Sequence, residues 1–166
     1  MSPKNLDFKI GDAVVYPKHG VGEIVKIESM EIANIKTMFY VVKMEQSKLT
    51  IRVPLDKQNE VGLRKISPKK VIEEVFGVLK LKPKIRRIMW SRRAQEYDSK
   101  IFSGDPIKIA EVVRDLFRKN TQAEQSYSER QMFQIAIERL AREVAAVEKT
   151  DYFQSTEKIE TILRNK

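Results

Sequence analysis

Residues 58–81 read QNEVGLRKISPKKVIEEVFGVLKL, and within this stretch the spacing of the apolar residues changes. In the first third of the chain apolar residues recur at about every second position, which is typical of strands. From Ser67 onward they recur every three to four positions, which is typical of helices. Ser67 followed by Pro68 favours a helix start, since serine is a preferred N-cap and proline suits the first helical position. The chain is therefore predicted to have a strand-rich part and a helical part, joined within residues 58–67.

The first part contains four alternating segments rich in Val, Ile, Tyr and Phe, separated by turn sequences such as KHGVG (18–22) and EQSK (45–48). Four or five short strands in about 55 residues predict a small antiparallel β-barrel of the SH3 or Tudor kind. We assign this barrel to residues 1–62 and expect its edge strands to remain available for pairing. The four segments are DAVVYP (12–17), GEIVKI (22–27), TMFYVVKM (37–44) and KLTIRVP (48–54).

The second part, residues 67–166, is predicted to be an all-α bundle of about five helices, so the fold class is α+β with two domains. Asp105-Pro106 predicts a capped helix start, Ser126 with Glu129 forms a capping-box pattern, and Ser155 or Thr156 is a candidate cap for a short last helix. The predicted helices are KKVIEEVFGVLKL (69–81), KIRRIMWSRRAQEYDSKIF (84–102), IKIAEVVRDLFRKN (107–120), RQMFQIAIERLAREVAAVEK (130–149) and EKIETILRN (157–165).

The composition restricts the class of function. The chain has 166 residues, is 42% hydrophobic and carries a formal net charge of +9, which favours a polyanionic partner. It has no cysteine, so a disulfide framework and thiolate metal sites are excluded and a reducing compartment is expected. There is no signal-peptide pattern and no apolar run of the ~18 residues that span a membrane. We expect a cytoplasmic protein that does not bind membranes.

The sequence argues against an enzyme. His19 is the single histidine and lies in the turn YPKHGVG, where an imidazole packs or closes the turn more often than it titrates for catalysis. We find no phosphate-binding loop, no paired carboxylates at a suggestive spacing and no nucleophile motif. No catalytic residue, metal or cofactor is predicted.

The stretch RRIMWSRRAQEY (86–97) places the single tryptophan, Trp90, among four arginines. On a helix, Trp90 shares a face with Tyr97 and Ile101, so it can belong to a core stripe with the arginines extending outward from its edges. Alternatively, the helix faces the core with Ile85 and Ile88, and Trp90 projects toward solvent among the four arginines. Arginines neutralise phosphates, and an aromatic among them can stack on or wedge into a distorted base step. Periodicity alone leaves both interpretations open.

A similar choice remains for KLTIRVP (48–54). It is either a strand with an ordinary polar outer face, or an exposed strand that pairs with a partner and uses Arg52 as a side-chain anchor.

Five motifs in order resemble the CarD/CdnL-like family of bacterial transcription regulators. They are FKIGDAVVYPKHGVGEI (8–24), LTIRVP (49–54), WSRR (90–93), SGD (103–105) and AEVVRDLFRK (110–119). The first part also resembles the RNA-polymerase-interacting module of transcription-repair coupling factors, which are much longer chains. The resemblance implies a Tudor-like domain that binds the RNA polymerase β subunit. It also implies a helical domain that contacts promoter DNA in the minor groove at the upstream edge of the bubble and stabilises the open complex. We expect a monomer.

The resemblance also assigns residues. It implies that Trp90 is the minor-groove wedge, that Arg92, Arg93 and Arg130 contact DNA, and that Arg52 contacts polymerase. We add three neighbours of Arg52 to the polymerase surface, namely Ile51, Met30 and Ile32; Met30 lies where the family pattern expects a basic residue. Ala94-Gln95 replaces an aromatic and a lysine, and we expect Arg86 and Arg87 to compensate for the lost phosphate contact.

Two alternatives compete with this bridge. A generic basic nucleic-acid-binding module would bind RNA or duplex DNA without polymerase. A protein-interaction adaptor would use Trp90 only as a core residue.

Overall fold

A computed structural model describes residues 6–118 and 126–166. The chain forms two compact units, of which the first ends at Ile66 and the second begins at Ser67. Strands form most of the first unit and helices form the second, which confirms the α+β organisation predicted from the change of period. Among the described residues, no helix is both long enough and apolar enough to cross a membrane.

The first unit is an antiparallel five-stranded sheet in the order β4-β3-β2-β1-β5. Unlike the predicted barrel, the sheet is not closed: β5 has two residues and pairs only with β1, while β4 pairs with β3, so β4 and β5 are edge strands. The strands are β1 (Ala13–Tyr16), β2 (Gly20–Ile32), β3 (Ile35–Met44), β4 (Thr50–Pro54) and β5 (Arg64–Lys65).

Strands β2 and β3 form a hairpin that is longer than the sequence pattern predicted. Its two-residue turn consists of Ala33 and Asn34, with φ angles of 50° and 64°. Positive φ at both turn residues matches the right-handed twist of the flanking strands, which favours such hairpins. The paired register therefore continues to Ile32 opposite Ile35, beyond the predicted strand end at residue 27.

One face of this sheet covers the first core. Phe8 and Tyr40 meet edge to face with ring centroids 5.2 Å apart. Gly22 allows β2 and β3 to approach closely, since a Cβ there would lie 2.9 Å from the Lys43 carbonyl oxygen. A 3-10 turn and the short helix α1 (Gln58–Val61) lead from β4 to β5. The buried core residues are Phe8, Val14, Ile24, Tyr40, Val42, Met44, Val53 and Leu63.

The described part of the second unit contains five helices, the number predicted. α4 is central: it contacts α2, α3 and α5, and most of its residues are buried. The helices are α2 (Lys69–Leu79), α3 (Trp90–Phe102), α4 (Pro106–Leu116), α5 (Tyr127–Glu148) and α6 (Tyr152–Arg164).

The prediction of a helix over residues 84–102 is wrong in its first turns, because α3 begins only at Trp90. The Lys84 backbone N–H donates to Asp115 Oδ1 of α4 at 2.9 Å, so this amide serves a contact between segments. Met89, with φ −56° and ψ 143°, is not helical either. Arg86 and Arg87 therefore lie on a non-helical segment, and their predicted helical positions do not apply.

Two predicted caps are confirmed. Asp105 accepts a hydrogen bond from the Ile107 N–H at 2.9 Å, and Ser126 accepts one from the Glu129 N–H at 3.2 Å. Ser67 is not a cap. The residue before α2 is Pro68, while the N–H and Oγ of Ser67 both donate to Glu143 on α5.

Two other helix ends differ from the prediction. The last helix starts earlier than expected, because Asp151 caps it through the Gln154 N–H at 2.8 Å and Ser155 is buried inside it. α4 ends at Leu116, where Phe117 turns extended; the predicted helical residues 119 and 120 lie outside the described residues.

Candidate interfaces for nucleic acid and polymerase

The first turn of α3 departs from the usual rules for a helix start. Met89 provides no side-chain cap, and the turn contains Arg92 and Arg93 but no acidic residue. Cations at a helix N-terminus oppose the helix dipole, at a cost of about 0.3–1 kcal/mol each when exposed. Side chains cap α4, α5 and α6, whereas α2 also begins without a side-chain cap and without an acidic residue in its first turn. This turn is therefore unfavourable for the isolated fold and electrostatically suited to a polyanion.

Arg93 lies against two aromatic rings. Its guanidinium carbon is 5.3 Å from the Trp90 ring centroid and 5.6 Å from that of Tyr97, and its Nη2 donates to Tyr97 Oη at 3.0 Å. The Trp90 and Tyr97 rings are themselves 6.2 Å apart at an angle of 49°. Arg93 Nε is buried with no hydrogen-bond partner among residues 6–118 and 126–166. Arg93 thus orients the indole, in addition to its predicted role as a DNA contact.

The observed position of Trp90 agrees in part with each of the two predicted interpretations. Tyr97 and Ile101 are buried, so the helical face that they share with Trp90 is a core stripe. Trp90 stands at the end of that stripe and is half-buried. Ile85, expected on the core side in the wedge interpretation, is exposed on the non-helical segment. The indole is therefore packed on one side and accessible on another.

The remaining arginines of this region differ in their partners. Arg86 Nη1 lies 2.6 Å from Glu96 Oε1, so its charge is already offset. Arg87 and Arg92 are exposed and have no ion-pair partner within the described ranges. Of the two residues expected to compensate for Ala94-Gln95, Arg87 is thus the one with an uncompensated charge.

Arg130 is in the first turn of α5, and its side chain is exposed. The described contacts do not connect it to Trp90 or to the arginines of α3. The neighbouring Glu129 Oε2 is 3.8 Å from Arg118 Nη2. Arg130 therefore remains a separate predicted phosphate contact.

Met89 was not predicted from the sequence as a site residue. It directly precedes Trp90, and 77% of its surface is exposed. The available signal was an apolar residue beside the tryptophan in a basic stretch. Met89 adds an uncovered apolar surface next to the indole.

In the first unit, Arg52 belongs to an ion-pair cluster on the outer face of the sheet. Its Nε donates to Glu28 Oε2 at 3.0 Å, and Lys26 Nζ lies 3.1 Å from Glu28 Oε1. Strand register explains why Arg52 and Lys26 both reach Glu28, since Val41 on β3 pairs with Lys26 of β2 on one side and with Arg52 of β4 on the other. The hydrogen bond from Arg52, followed by that from Lys26, lowers the pKa of Glu28 below its ordinary value. The pairing of Glu28 with Arg52 was not predicted from the sequence.

The other predicted polymerase contacts separate into two groups. Ile51 pairs with Val42, and its partly buried side chain packs against the core. Met30 and Ile32 follow Glu28 at alternate positions of β2 and therefore share its face; they are 45% and 52% exposed. Ile35, paired with Ile32 and 67% exposed, extends this apolar hairpin tip but was not predicted.

Neither interface has the features of a catalytic site. The described residues contain no group of three or more His, Asp or Glu side chains placed to hold a metal ion. His19 is exposed in its turn. Its backbone N–H donates to the Tyr16 carbonyl oxygen at 2.9 Å, and its ring centroid lies 5.4 Å from that of Tyr16. What both surfaces present is charge, hydrogen-bond donors and uncovered apolar groups, which are means of binding.

Comparisons with known proteins agree with the division of the chain into two units. The family model for the CarD-like/TRCF RID domain matches residues 8–67, and that for the CarD C-terminal domain matches residues 74–160. YdeB of Bacillus subtilis (strain 168), named as a candidate transcription factor, is 31% identical over 140 residues, which cover 84% of this chain and 92% of YdeB.

Two solved structures from Myxococcus xanthus match 40% and 38% of the chain, each with a TM-score of 0.32. One is the CdnL N-terminal domain, which is 39% identical with 93% of its length covered. The other is the 72-residue N-terminal domain of CarD, which is 33% identical with 84% covered.

The two matching models follow one another along most of the sequence. The first is an RNA-polymerase-interacting module, and the family consists of transcription factors rather than enzymes. The chain belongs to the CarD family of transcription regulators.

Proposed function

We propose that this protein stabilises the open promoter complex by binding RNA polymerase and promoter DNA together. The first unit binds the polymerase β subunit. The second unit contacts the minor groove of promoter DNA at the upstream edge of the bubble. The protein acts as a monomer in the cytoplasm and needs no cofactor.

The observation that carries the proposal is the half-buried indole of Trp90, held by Arg93 and Tyr97 beside an uncapped basic helix start. An apolar wedge works best when the protein already fixes its orientation, since less conformational entropy is then lost on binding. Proteins that kink DNA insert such side chains between base steps of the minor groove. The packing against Tyr97 and Arg93 supplies that orientation and leaves part of the indole accessible.

The surrounding charges support a DNA partner. Arg87, Arg92 and Arg130 are exposed, and phosphate contacts from such residues position a protein without reading sequence. Three contacts would give a slope of about −3 in a plot of log binding constant against log salt. The free protein should therefore bind DNA weakly, with little sequence preference and a strong response to salt.

The first unit offers polymerase two kinds of contact. β4 is an edge strand, so its outward backbone groups can pair with a strand of the partner. Arg52 stands on β4 with about half of its side chain exposed even while it pairs with Glu28. The apolar tip formed by Met30, Ile32 and Ile35 extends the same face of the hairpin.

The mechanism is a shift of populations. A ligand moves an equilibrium between closed and open complexes only by the difference in its affinity for the two. Trp90 supplies that difference, because an unstacked base step is present only where DNA is distorted. Binding through the first unit raises the local concentration of the second unit at the promoter, which compensates for its weak affinity for DNA.

The test is the lifetime of the open complex with purified polymerase, full-length protein and the Trp90→Ala variant. We expect Trp90→Ala to bind polymerase normally and to shorten the lifetime several-fold. Phe153→Ala is the matched control, because Phe153 is a 79% exposed aromatic on α6. A lifetime unchanged by Trp90→Ala contradicts the wedge. A loss of stability of about 3–5 kcal/mol, as for a buried tryptophan, would instead favour the adaptor.

Polymerase capture tests the other half of the bridge. Arg52→Glu should reduce capture of polymerase, whereas Lys65→Glu should not, since Lys65 lies on β5 at the opposite edge of the sheet. Binding of RNA or duplex DNA without any capture of polymerase by the wild-type protein would favour the generic nucleic-acid module.

A further inference from the structure

Beside its aromatic face, α3 has a second stripe, made of polar residues. Positions 92, 96, 99 and 103, at successive intervals of four, three and four residues, lie along one side of the helix, and position 95 lies beside them. These residues line a groove between α3 and α4 with a volume of about 670 Å³. Lys108 and Glu111 contribute the α4 wall of the groove, while Arg86 and Lys100 also line it.

The groove has a surplus of positive charge. Its lining includes four cations and two carboxylates. Both carboxylates are engaged, because Glu96 lies 2.6 Å from Arg86 and Glu111 lies 3.4 Å from Lys100.

Two of the four cations are left without an ion pair in the described parts of the chain, Arg92 on α3 and Lys108 on α4. Both side chains are exposed. The uncompensated charges thus come from both walls of the groove.

A polar stripe on a helix is ordinarily a solvated face with no partner. Two features distinguish this one. The uncompensated charges on this concave surface are both positive, and an excess of one sign of charge in a cleft focuses the potential toward an oppositely charged ligand. The groove also includes Arg92, which belongs to the turn that holds Trp90, so it is continuous with the proposed DNA surface.

We propose that this groove binds the phosphodiester backbone of one DNA strand, next to the base step that Trp90 contacts. The proposal rests on the proposed function for the identity of the partner. From Arg92 to Ser103 the helix rises roughly 16 Å at 1.5 Å per residue. That length is enough to follow a few consecutive phosphates of one strand.

The groove would act on affinity and register rather than on sequence. Arg92 and Lys108 neutralise phosphates, and the side chains of Gln95 and Ser99 can donate hydrogen bonds to backbone oxygens. Contacts between the groove and the DNA backbone next to Trp90 fix where the indole meets the strand, so they determine which base step is distorted.

The first test compares two lysine variants of the full-length protein by fluorescence anisotropy with a labelled duplex over a range of salt. Lys108→Glu should weaken binding about tenfold near 0.05 M salt and make the salt slope shallower by about one. Lys70→Glu is the control, since Lys70 is an exposed lysine on α2 of the same unit and does not line the groove. Equal affinities of the two variants overturn the proposal.

The second test locates the strand. The chain has no cysteine, so Ser99→Cys creates a single site for a photocrosslinking reagent. In the open complex we expect crosslinks to one DNA strand within a few nucleotides of those obtained from Met89→Cys. Lys70→Cys is the control and should give none. Crosslinks from position 99 that are no more frequent than those of the control overturn the proposal.

The two proposals can fail separately. If Trp90→Ala shortens the open-complex lifetime and Lys108→Glu binds DNA like Lys70→Glu, the groove is wrong and the bridge stands. If Lys108→Glu weakens DNA binding while Trp90→Ala leaves the lifetime unchanged, the groove is a backbone site and the wedge mechanism is wrong.

Discussion

Ser67 and Glu143 are joined by two hydrogen bonds across 76 positions of sequence: the N–H of Ser67 donates to Glu143 Oε2 at 2.9 Å, and its Oγ donates to the same oxygen at 2.7 Å. Both residues are buried. The first residue of the second unit is thereby attached to α5, the longest helix. A buried carboxylate requires such donors, because burial without them carries a large desolvation cost.

Removing this carboxylate should destabilise the second unit. Glu143→Ala leaves two buried donors without their acceptor, at about 1–3 kcal/mol each, so we expect the free energy of unfolding to fall by about 2–6 kcal/mol. Urea unfolding followed by Trp90 fluorescence measures it, since the single tryptophan lies in this unit. Glu157→Ala, at an exposed position of α6, is the control and should change little. Equal midpoints for the two variants would contradict the role of this contact.

The contact of Arg93 with Trp90 predicts a change in indole accessibility. Without the guanidinium, one side of the indole loses its cover, so Arg93→Ala should increase quenching by acrylamide and move the emission to longer wavelength. Arg92→Ala removes the same charge from the same turn, but no contact of Arg92 with either ring is described; it should leave quenching near the wild-type value. Because acrylamide is neutral, the lost charge does not confound the comparison. Similar quenching in both variants would show that Arg93 does not hold the ring.

The exposure of Met89 predicts a contribution to DNA distortion. Methionine is among the apolar side chains that proteins insert between base steps, and this one is adjacent to Trp90 and uncovered. Met89→Ala should shorten the open-complex lifetime, with a smaller effect than that of Trp90→Ala. Leu81→Ala is the control, since Leu81 is 51% exposed at the far end of the same segment. A lifetime no shorter than that of Leu81→Ala would restrict the wedge to the tryptophan.

The cluster around Glu28 predicts a pH dependence in the first unit. Its pKa lies below the ordinary value of 4.5, chiefly because of the hydrogen bond from Arg52 and secondarily because of that from Lys26. A lowered pKa in the folded protein means that this support of the hairpin is complete above about pH 4.5 and is lost as the pH falls through the lower value. Arg52→Gln should therefore raise the Glu28 pKa toward 4.5.

A carboxyl-detected NMR titration measures this shift. Lys26→Gln is the matched comparison and should move the Glu28 pKa in the same direction by less. A larger shift in Lys26→Gln than in Arg52→Gln would reverse the order of the two contributions.

The sequence predicted those features whose causes are local. Asp105 and Ser126 bond to backbone amides two or three positions away, so their patterns predict helix starts correctly. Ser67 has the same pattern, but its hydroxyl bonds to a residue on another helix, which no local pattern indicates. Similarly, residues 84–89 have apolar spacing suited to a helix, but the Lys84 amide bonds to Asp115 instead.

The candidate interfaces were likewise predictable only where the cause is local in the sequence. The basic surroundings of Trp90 are visible in the sequence, whereas the pairing of Arg86 with Glu96 and the exposure of Met89 depend on where α3 begins. Alternation along KLTIRVP (48–54) correctly separates Ile51 from Arg52 onto opposite faces. It does not indicate that Glu28, on another strand, shares the charge of Arg52.

The segment between α2 and α3 makes two described tertiary hydrogen bonds through its main chain, besides the side-chain bond of Arg86 to Glu96. The Lys84 amide bonds to Asp115, and the Leu81 carbonyl accepts a hydrogen bond from Lys166 Nζ at 2.8 Å. These main-chain bonds use atoms that residues other than proline share, so they place few demands on the identities of Ile85 and Arg87. Evolution can therefore alter the strength of this basic surface by substitution there while the bundle keeps its stability. A regulator built in this way can adapt to promoters of different strength without refolding its scaffold.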